Sequence, residues 1–373
     1  MDIAVLAGGR SPEHEVSLAS AAQVLLHLDR TRWRVWPVYL DNQGGWSPSL
    51  SSLPQGVVWQ PREALQQRGP MRPGAALDWL LDEAHVQVVL PVLHGPNGED
   101  GTVQGMLELY DVPFVGSGCA ASAVAMDKLR TRQVLQVAGV PLAFAYEPGT
   151  PLARACAHTE FARMQAAIGT PAFVKVDASG STVGVQRVHT EQELDAFFTA
   201  FRGKFRRWFG EQQLVGEEIT VAVLGNTGDE LQALPPIGIY PQCDTWFTHE
   251  AKYRPGASEE VIPPRGLSAA QIAHVQALAV RCHEVLVCDG MSRTDMIVTA
   301  NGPRVLETNT IPGLTKTSLL PQAAAAAGLP FPALLDRLLL YALSKRTQPV
   351  AAPTDAVRQC APDLIASHRS AST

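Results

Sequence analysis

The sequence predicts an α/β protein that opens on a parallel sheet and continues into further domains. Ile3-Ala4-Val5-Leu6 is a short apolar run closed by Gly8-Gly9 and followed by Ser11-Pro12-Glu13, an N-cap residue with proline at the first helical position. That reads as strand, glycine turn and helix. A second apolar run, Val86 to Leu93, ends in the same manner at His94-Gly95. Two such units imply a parallel sheet, whose functional loops lie at the carboxyl ends of its strands. The third observation is size: 373 residues exceed one domain of about 150 residues, and 46% hydrophobic with 18% charged residues describes a globular chain.

Composition also excludes function classes. Thirty basic against 36 acidic residues give a net charge of −6, so no polyanionic partner is called for and nucleic acid is not expected. No apolar run reaches the roughly 18 residues of a membrane span, and Met1-Asp2 leads straight into a strand instead of a basic signal region, so the expected location is the cytoplasm. The six cysteines (Cys119, Cys156, Cys243, Cys282, Cys288 and Cys360) form no C-x-x-C pair, which predicts reduced and mostly buried thiols.

Along the chain, residues 42–75 are rich in Gly, Ser, Pro and Gln and read as a long connection without chemistry. Helical stretches around 120–138 precede the strand Ala172-Phe173-Val174-Lys175-Val176 and a loop holding Gly180, Ser181 and Gly184. From Ile219 to Leu224 onward further strands follow, including a hairpin, before an apolar helix from about Pro332 to Leu343. Residues 346–373 read as a mobile tail. The domains expected are 1–116, 117–211 and 212–345.

The hairpin carries the sharpest inference. Asp295-Met296-Ile297-Val298 and Arg304-Val305-Leu306-Glu307 flank the turn signal Asn301-Gly302. With a three- or five-residue connection, facing residues sum to an even number, so Arg293, Asp295, Glu307 and Asn309 share one face; a two-residue loop would split them. Two carboxylates and an amide oxygen on one face suit Mg²⁺, which takes hard oxygen ligands and completes its shell with water and nucleotide phosphates. A solvated hairpin face reads equally well from spacing alone. The loop after Lys175 offers amides and hydroxyls to phosphates, and an ordinary glycine turn is its bland alternative. Glu211-Gln212-Gln213-Leu214 with Glu218 could line a purine and ribose, or form an exposed edge strand.

The order of these segments is more specific than any one of them. His94-Gly95 with Gly98-Glu99-Asp100-Gly101, Gly116-Ser117-Gly118 with Met126-Asp127-Lys128, the Lys175 loop, Glu250-Ala251-Lys252-Tyr253, and Leu306-Glu307-Thr308-Asn309-Thr310 with Pro312-Gly313 closely resemble D-alanine:D-alanine ligases of the ATP-grasp superfamily, over about residues 1–343. The resemblance implies a three-domain ATP-grasp fold whose N-terminal parallel-sheet domain precedes the grasp. It implies that Lys128, Lys175, Lys252 and the Ser181 loop hold ATP phosphates, and that Glu211, Leu214 and Glu218 contact adenine and ribose. Asp295, Glu307 and Asn309 match ligands of Mg²⁺ or Mn²⁺. Glu15 matches the residue receiving the first D-alanine's ammonium, linked to Ser181 and Tyr253. Arg293 and the Gly313 amide would meet the oxyanion, His94 would bind substrate, and Ser318 with Leu319 would bind the second substrate's carboxylate. A homodimer serving peptidoglycan synthesis is implied too. Alternatives of the same chemistry join another amino or hydroxy acid; a catalytically silent nucleotide sensor is the alternative of another class. Val176, Gly210, His249 and Thr294 depart from the family pattern without removing a catalytic group.

Overall fold

The computed structural model describes residues 1–61, 67–177, 184–242 and 258–345. The N-terminal part contains β1 (Asp2–Gly8), α1 (His14–His27), β2 (Arg34–Leu40), β3 (Trp46–Pro48), α2 (Pro73–Asp82), β4 (Val88–Val92) and α3 (Thr102–Leu109). Its sheet has the order β3-β2-β1-β4, with β1 parallel to both β2 and β4 and β3 antiparallel at the edge. The continuous apolar run of β1 follows from burial on both faces. Ile3, Val5 and Ala7 enter one core cluster and Ala4 and Leu6 another.

The middle of the chain forms α4 (Cys119–Met126), α5 (Lys128–Val137), β5 (Ala145–Tyr146), α6 (Ala157–Ile168), β6 (Ala172–Val176), β7 (Val185–Val188), α7 (Glu191–Phe201) and β8 (Trp208–Gln212). An antiparallel sheet of order β5-β8-β6-β7 covers its own core around Phe197, Phe198 and Trp208. Lys128 is the first residue of α5, whose N-cap Asp127 accepts from the Arg130 N–H at 3.0 Å.

The last part contains β9 (Gly216–Leu224), β10 (Gln232–Ala233), β11 (Ile237–Pro241), β12 (Ser258–Val261), α8 (Ala269–Val285), β13 (Met291–Thr299), β14 (Gly302–Asn309), α9 (Leu319–Ala326) and α10 (Phe331–Lys345). Its six strands run β12-β11-β9-β13-β14, with β10 beside β9. Leu334, Leu335, Leu338 and Leu339 of α10 share a core with β1 and β4, so this helix packs on the N-terminal sheet. The two ends of the described chain are thereby welded together.

Three expectations need correction. The first helix starts at His14, because Ser11 spends its Oγ on the Glu13 N–H at 3.1 Å and its carbonyl on the His14 N–H, forming a turn before the helix. Residues 42–75 are not merely a connection: they supply β3 as an edge strand, with Trp46 buried, and the start of α2. The hairpin has a two-residue loop, Ala300-Asn301 between the pair Thr299–Gly302, not three or five. A β-bulge restores what that loop would have lost. Val305 faces Met296 and Glu307 faces Asp295, so Leu306 is the extra residue, and Arg293 pairs with Asn309. The four polar residues therefore share a face by a bulge, not by the loop length.

The expected tail, residues 346–373, lies outside the described residues, as do Cys243 and Cys360. Cys282 and Cys288 are buried, whereas Cys119 is only partly covered and Cys156 exposed. No single described helix is long and apolar enough to cross a membrane; α9 and α10 pass on length and composition only as a pair bent by 104°.

Candidate active site

Two adjoining cavities, of about 510 and 670 Å³, form one cleft. The first lies where α1, the loop after β4 and the start of α9 face the hairpin; the second runs between β8 and β9 toward β6. Lys128, Glu218, Asp295 and Glu307 line both. The bulged face of the hairpin is thus a wall shared by the two cavities.

Every charge on that wall is matched. Arg293 donates from Nε and Nη2 to the two oxygens of Asp295, each at 2.9 Å, and the Thr220 hydroxyl donates to Asp295 Oδ1 at 2.6 Å. Burial works against the charge of Arg293, but Asp295 and, more remotely, Glu307 and Glu99 override it and raise its pKa above the ordinary value. Lys128 Nζ stands 3.3 Å from Glu307. The amide oxygen of Asn309 accepts from the Ile311 N–H at 2.8 Å, fixing the side chain. Two facing carboxylates and an oriented amide oxygen, already drawing a guanidinium and an ammonium, are a donor set for a hard divalent cation. No group of three His, Cys, Asp or Glu side chains suited to a metal occurs among the described residues, so nucleotide oxygens and water would complete such a shell.

In the second cavity Lys175 on β6 is ion-paired with Glu211 on β8, which also pairs with Arg132 on α5. Glu211 is 3% exposed and its two oxygens each meet a cation. Besides lining the cavity, where a contact to adenine and ribose is expected of it, the carboxylate is tied to Lys175. Leu214 and Glu218 line the cavity beside it. Gly210 permits this packing, since a Cβ there would come within 2.6 Å of Met164 Sδ. Thr294 points to the other face, 3.1 Å from the Thr308 hydroxyl, and Val176 packs against Gly184, so these departures leave the cleft's charges alone.

At the far end of the first cavity, Ser318 Oγ accepts from the Thr315 N–H at 3.0 Å at the start of α9, and Leu319 follows it into the wall. Gly313 faces the same hydroxyl; a Cβ there would sit 2.7 Å from Ser318 Oγ. Glu15, in the first turn of α1, is exposed to the cavity, and His94 is buried beside Ser20, with its Nε2 3.3 Å from Ser20 Oγ. Burial lowers the His94 pKa against the pull of Glu13. Ser181, His249, Lys252 and Tyr253 lie outside the described residues.

Sequence reasoning gave no role to Glu99, Arg132, Thr220 or Glu260. Glu99 accepts from the Gly95 N–H at 2.7 Å, and burial, then Glu13, push its pKa up to about 8. Its signal was present, a carboxylate in a glycine-rich loop just after a buried strand. Thr220 was hidden inside an apolar run, where one polar residue at an inward position marks a partner across the sheet.

Residues 2–117 match the model of the D-ala D-ala ligase N-terminus and residues 134–340 that of the D-ala D-ala ligase C-terminus. The chain belongs to the D-alanine–D-alanine ligase family. A D-alanine–D-alanine ligase of Syntrophobacter fumaroxidans is 40% identical over 346 residues, which cover 92% of this chain and 98% of that relative. The solved D-alanine–D-alanine ligase of Coxiella burnetii superposes with a TM-score of 0.73 at 28% identity, covering 96% of this chain and 98% of that one. That of Bacillus anthracis complexed with ATP gives 0.71 at 27%, covering 93% and 99%. The fold is therefore that of the family, with the three sheets described above.

Proposed function

We propose that this ligase joins two D-alanine molecules to D-alanyl-D-alanine at the cost of ATP. The observation that supports this best is the wall shared by the two cavities, because a nucleotide in one and a small acid in the other would meet at the same carboxylate pair. The carboxylate of the first D-alanine attacks the γ-phosphorus, the bond to the β-phosphate oxygen breaks, and ADP leaves an acyl phosphate. The second D-alanine, its ammonium having released one proton to water, attacks the acyl carbon through the free amine; the nitrogen then gives up a second proton to water as the bond from the acyl carbon to the phosphate oxygen breaks, leaving dipeptide and inorganic phosphate. Lys128 and Lys175 would neutralise phosphate charge from opposite sides, with Glu211 holding Lys175 in place. Arg293 has two nitrogens on Asp295, which leaves Nη1 to meet the oxyanion together with the Gly313 N–H. Asp295, Glu307 and Asn309 would hold Mg²⁺ or Mn²⁺, which supplies charge neutralisation on the phosphates when bound.

The first D-alanine would place its ammonium toward Glu15, which Ser181 and Tyr253 would help to orient, with His94 on its carboxylate. The second would place its carboxylate at Ser318 and Leu319 on the start of α9. The units 1–116, 117–211 and 212–345 serve as substrate, grasp and catalytic domains in this reading. It also takes the enzyme as a cytoplasmic homodimer that feeds peptidoglycan synthesis. The test is to incubate the full chain with ATP, Mg²⁺ and D-alanine, and to follow ADP release with mass spectrometry of the product. A dipeptide formed in proportion to ADP is expected. ATP binding without D-alanine-dependent turnover would reject the reading in favour of a sensor, and turnover only with another amino or hydroxy acid would reject the substrate.

A further inference from the structure

Glu260 is a carboxylate of the first cavity to which the ligase reading gives no task. It stands on β12 opposite Ile239 of β11, both residues line the first cavity, and Glu260 does not line the second. Its position is held from α9: Gln322 Nε2 donates to Glu260 Oε2 and also to the Thr317 carbonyl, the latter at 2.9 Å. Gln322 lies one helical turn beyond Ser318, so Glu260 is tied beside the very turn where the second substrate's carboxylate would dock.

The two ends of that subsite are therefore of opposite polarity. The start of α9 presents N–H groups and the positive end of its dipole, which suits a carboxylate. Glu260 presents negative charge one turn away. A zwitterionic amino acid carries a charge to suit each end, whereas a hydroxy acid offers only the carboxylate and a neutral hydroxyl. Of the other acidic side chains of the cavity, Asp295 is held by Arg293, Glu307 stands beside Lys128 and Glu99 accepts from the Gly95 amide; Glu218 of β9 lines both cavities, and Glu13 and Glu15 lie at the start of α1.

We propose that Glu260 selects the acceptor, favouring an α-ammonium over an α-hydroxyl by direct charge attraction, with Gln322 as its positioning residue. The assignment rests on the ligase reading and deepens it. It concerns the acceptor alone, so its signature is a split between acceptors and between the two Michaelis constants for D-alanine.

The experiment uses the full-length enzyme with ATP, Mg²⁺ and D-alanine as donor, and compares D-alanine with D-lactate as acceptor by product mass spectrometry. Glu260→Gln is expected to lower the ratio of kcat/KM for D-alanine over D-lactate about tenfold or more. The gain should be lost through the acceptor KM, the donor KM moving less than twofold, and Glu260→Asp should restore most of it. A ratio within twofold of wild type in Glu260→Gln, or an equal fall with both acceptors, would overturn the proposal, the second result marking a structural tie between β12 and α9. Should Glu260→Gln fail to fold, Gln322→Leu keeps the charge and frees it; a ratio reduced about threefold supports the proposal and an unchanged ratio overturns it. Wild-type enzyme that forms no dipeptide would reject the ligase reading itself, and this selector with it, whereas dipeptide formation with an unchanged variant ratio rejects the selector alone.

Discussion

Glu211→Gln separates charge from shape at the most buried ion pair of the cleft. The side chains of Glu211, Arg132 and Lys175 are 4%, 7% and 13% exposed, so the substitution leaves two cations in a nearly dry setting with one neutral amide between them. Removing one partner of a buried pair costs about 3–5 kcal/mol. Two features place this case at the lower end, about 3 kcal/mol: the amide oxygen still accepts one hydrogen bond, and Arg132 keeps its contact to the Ala143 carbonyl at 2.7 Å. At roughly 2–4 °C per kcal/mol for a chain of this scale, the transition of the middle sheet should fall by about 6–12 °C. Lys175 also loses its anchor, so nucleotide affinity should drop, and saturating ADP should recover part of the thermal loss because phosphates replace the missing anion. Differential scanning calorimetry with and without ADP measures both effects. A transition within 1 °C of wild type, with unchanged ADP affinity, would refute the claim that Glu211 acts as the anchor of Lys175.

Glu307→Gln keeps size but removes a charge from the shared wall; turnover should collapse at limiting Mg²⁺ while the circular dichroism spectrum is kept, and an unchanged rate would take Glu307 out of the metal site. Arg293→Lys loses the fork on Asp295 and an oxyanion donor worth about 3 kcal/mol or more, so kcat should fall roughly a hundredfold with ATP affinity little altered, as steady-state kinetics and nucleotide titration would show. Glu99 has a folded-state pKa raised to about 8 from an ordinary value near 4.5, so between those pH values the native state binds more protons than the unfolded one. Stability should then decline as pH rises through that window, by at most about 1.4 kcal/mol per pH unit, and Glu99→Gln should flatten the decline in denaturant titrations from pH 5 to 9.

Much of the fold was legible in the sequence because local signals agreed with tertiary ones. The runs at Ile3–Leu6 and Val86–Leu93 became adjacent parallel strands, since only two-sided burial sustains such continuous apolar segments. Ala172–Val176 is a strand with the expected limits, and the apolar helix near the end of the described chain is α10. That Asp295, Glu307 and Asn309 offer oxygen atoms is a matter of residue type and needs no distant contact; that they face one another is given by the strand pairing.

What only the tertiary structure decided concerns pairings between distant segments. The hairpin face was inferred from a loop length that proved to be wrong, and Leu306 rescued it: a bulge inserts one residue and so exchanges the faces, which no local signal at Leu306 announces. Glu211 lines the cavity and is also ion-paired with Arg132 and Lys175, which reach it from two other elements, a pairing that strand spacing does not announce. Glu260 carried no signal in the sequence; α9 brings Gln322 against it from 62 residues away. Strand periodicity and turn chemistry act over a few residues, so the sequence by itself determined the elements and the chemical types at their ends. Which charges meet across the cleft depends on how β12, α5 and α9 dock, and long-range packing alone sets that.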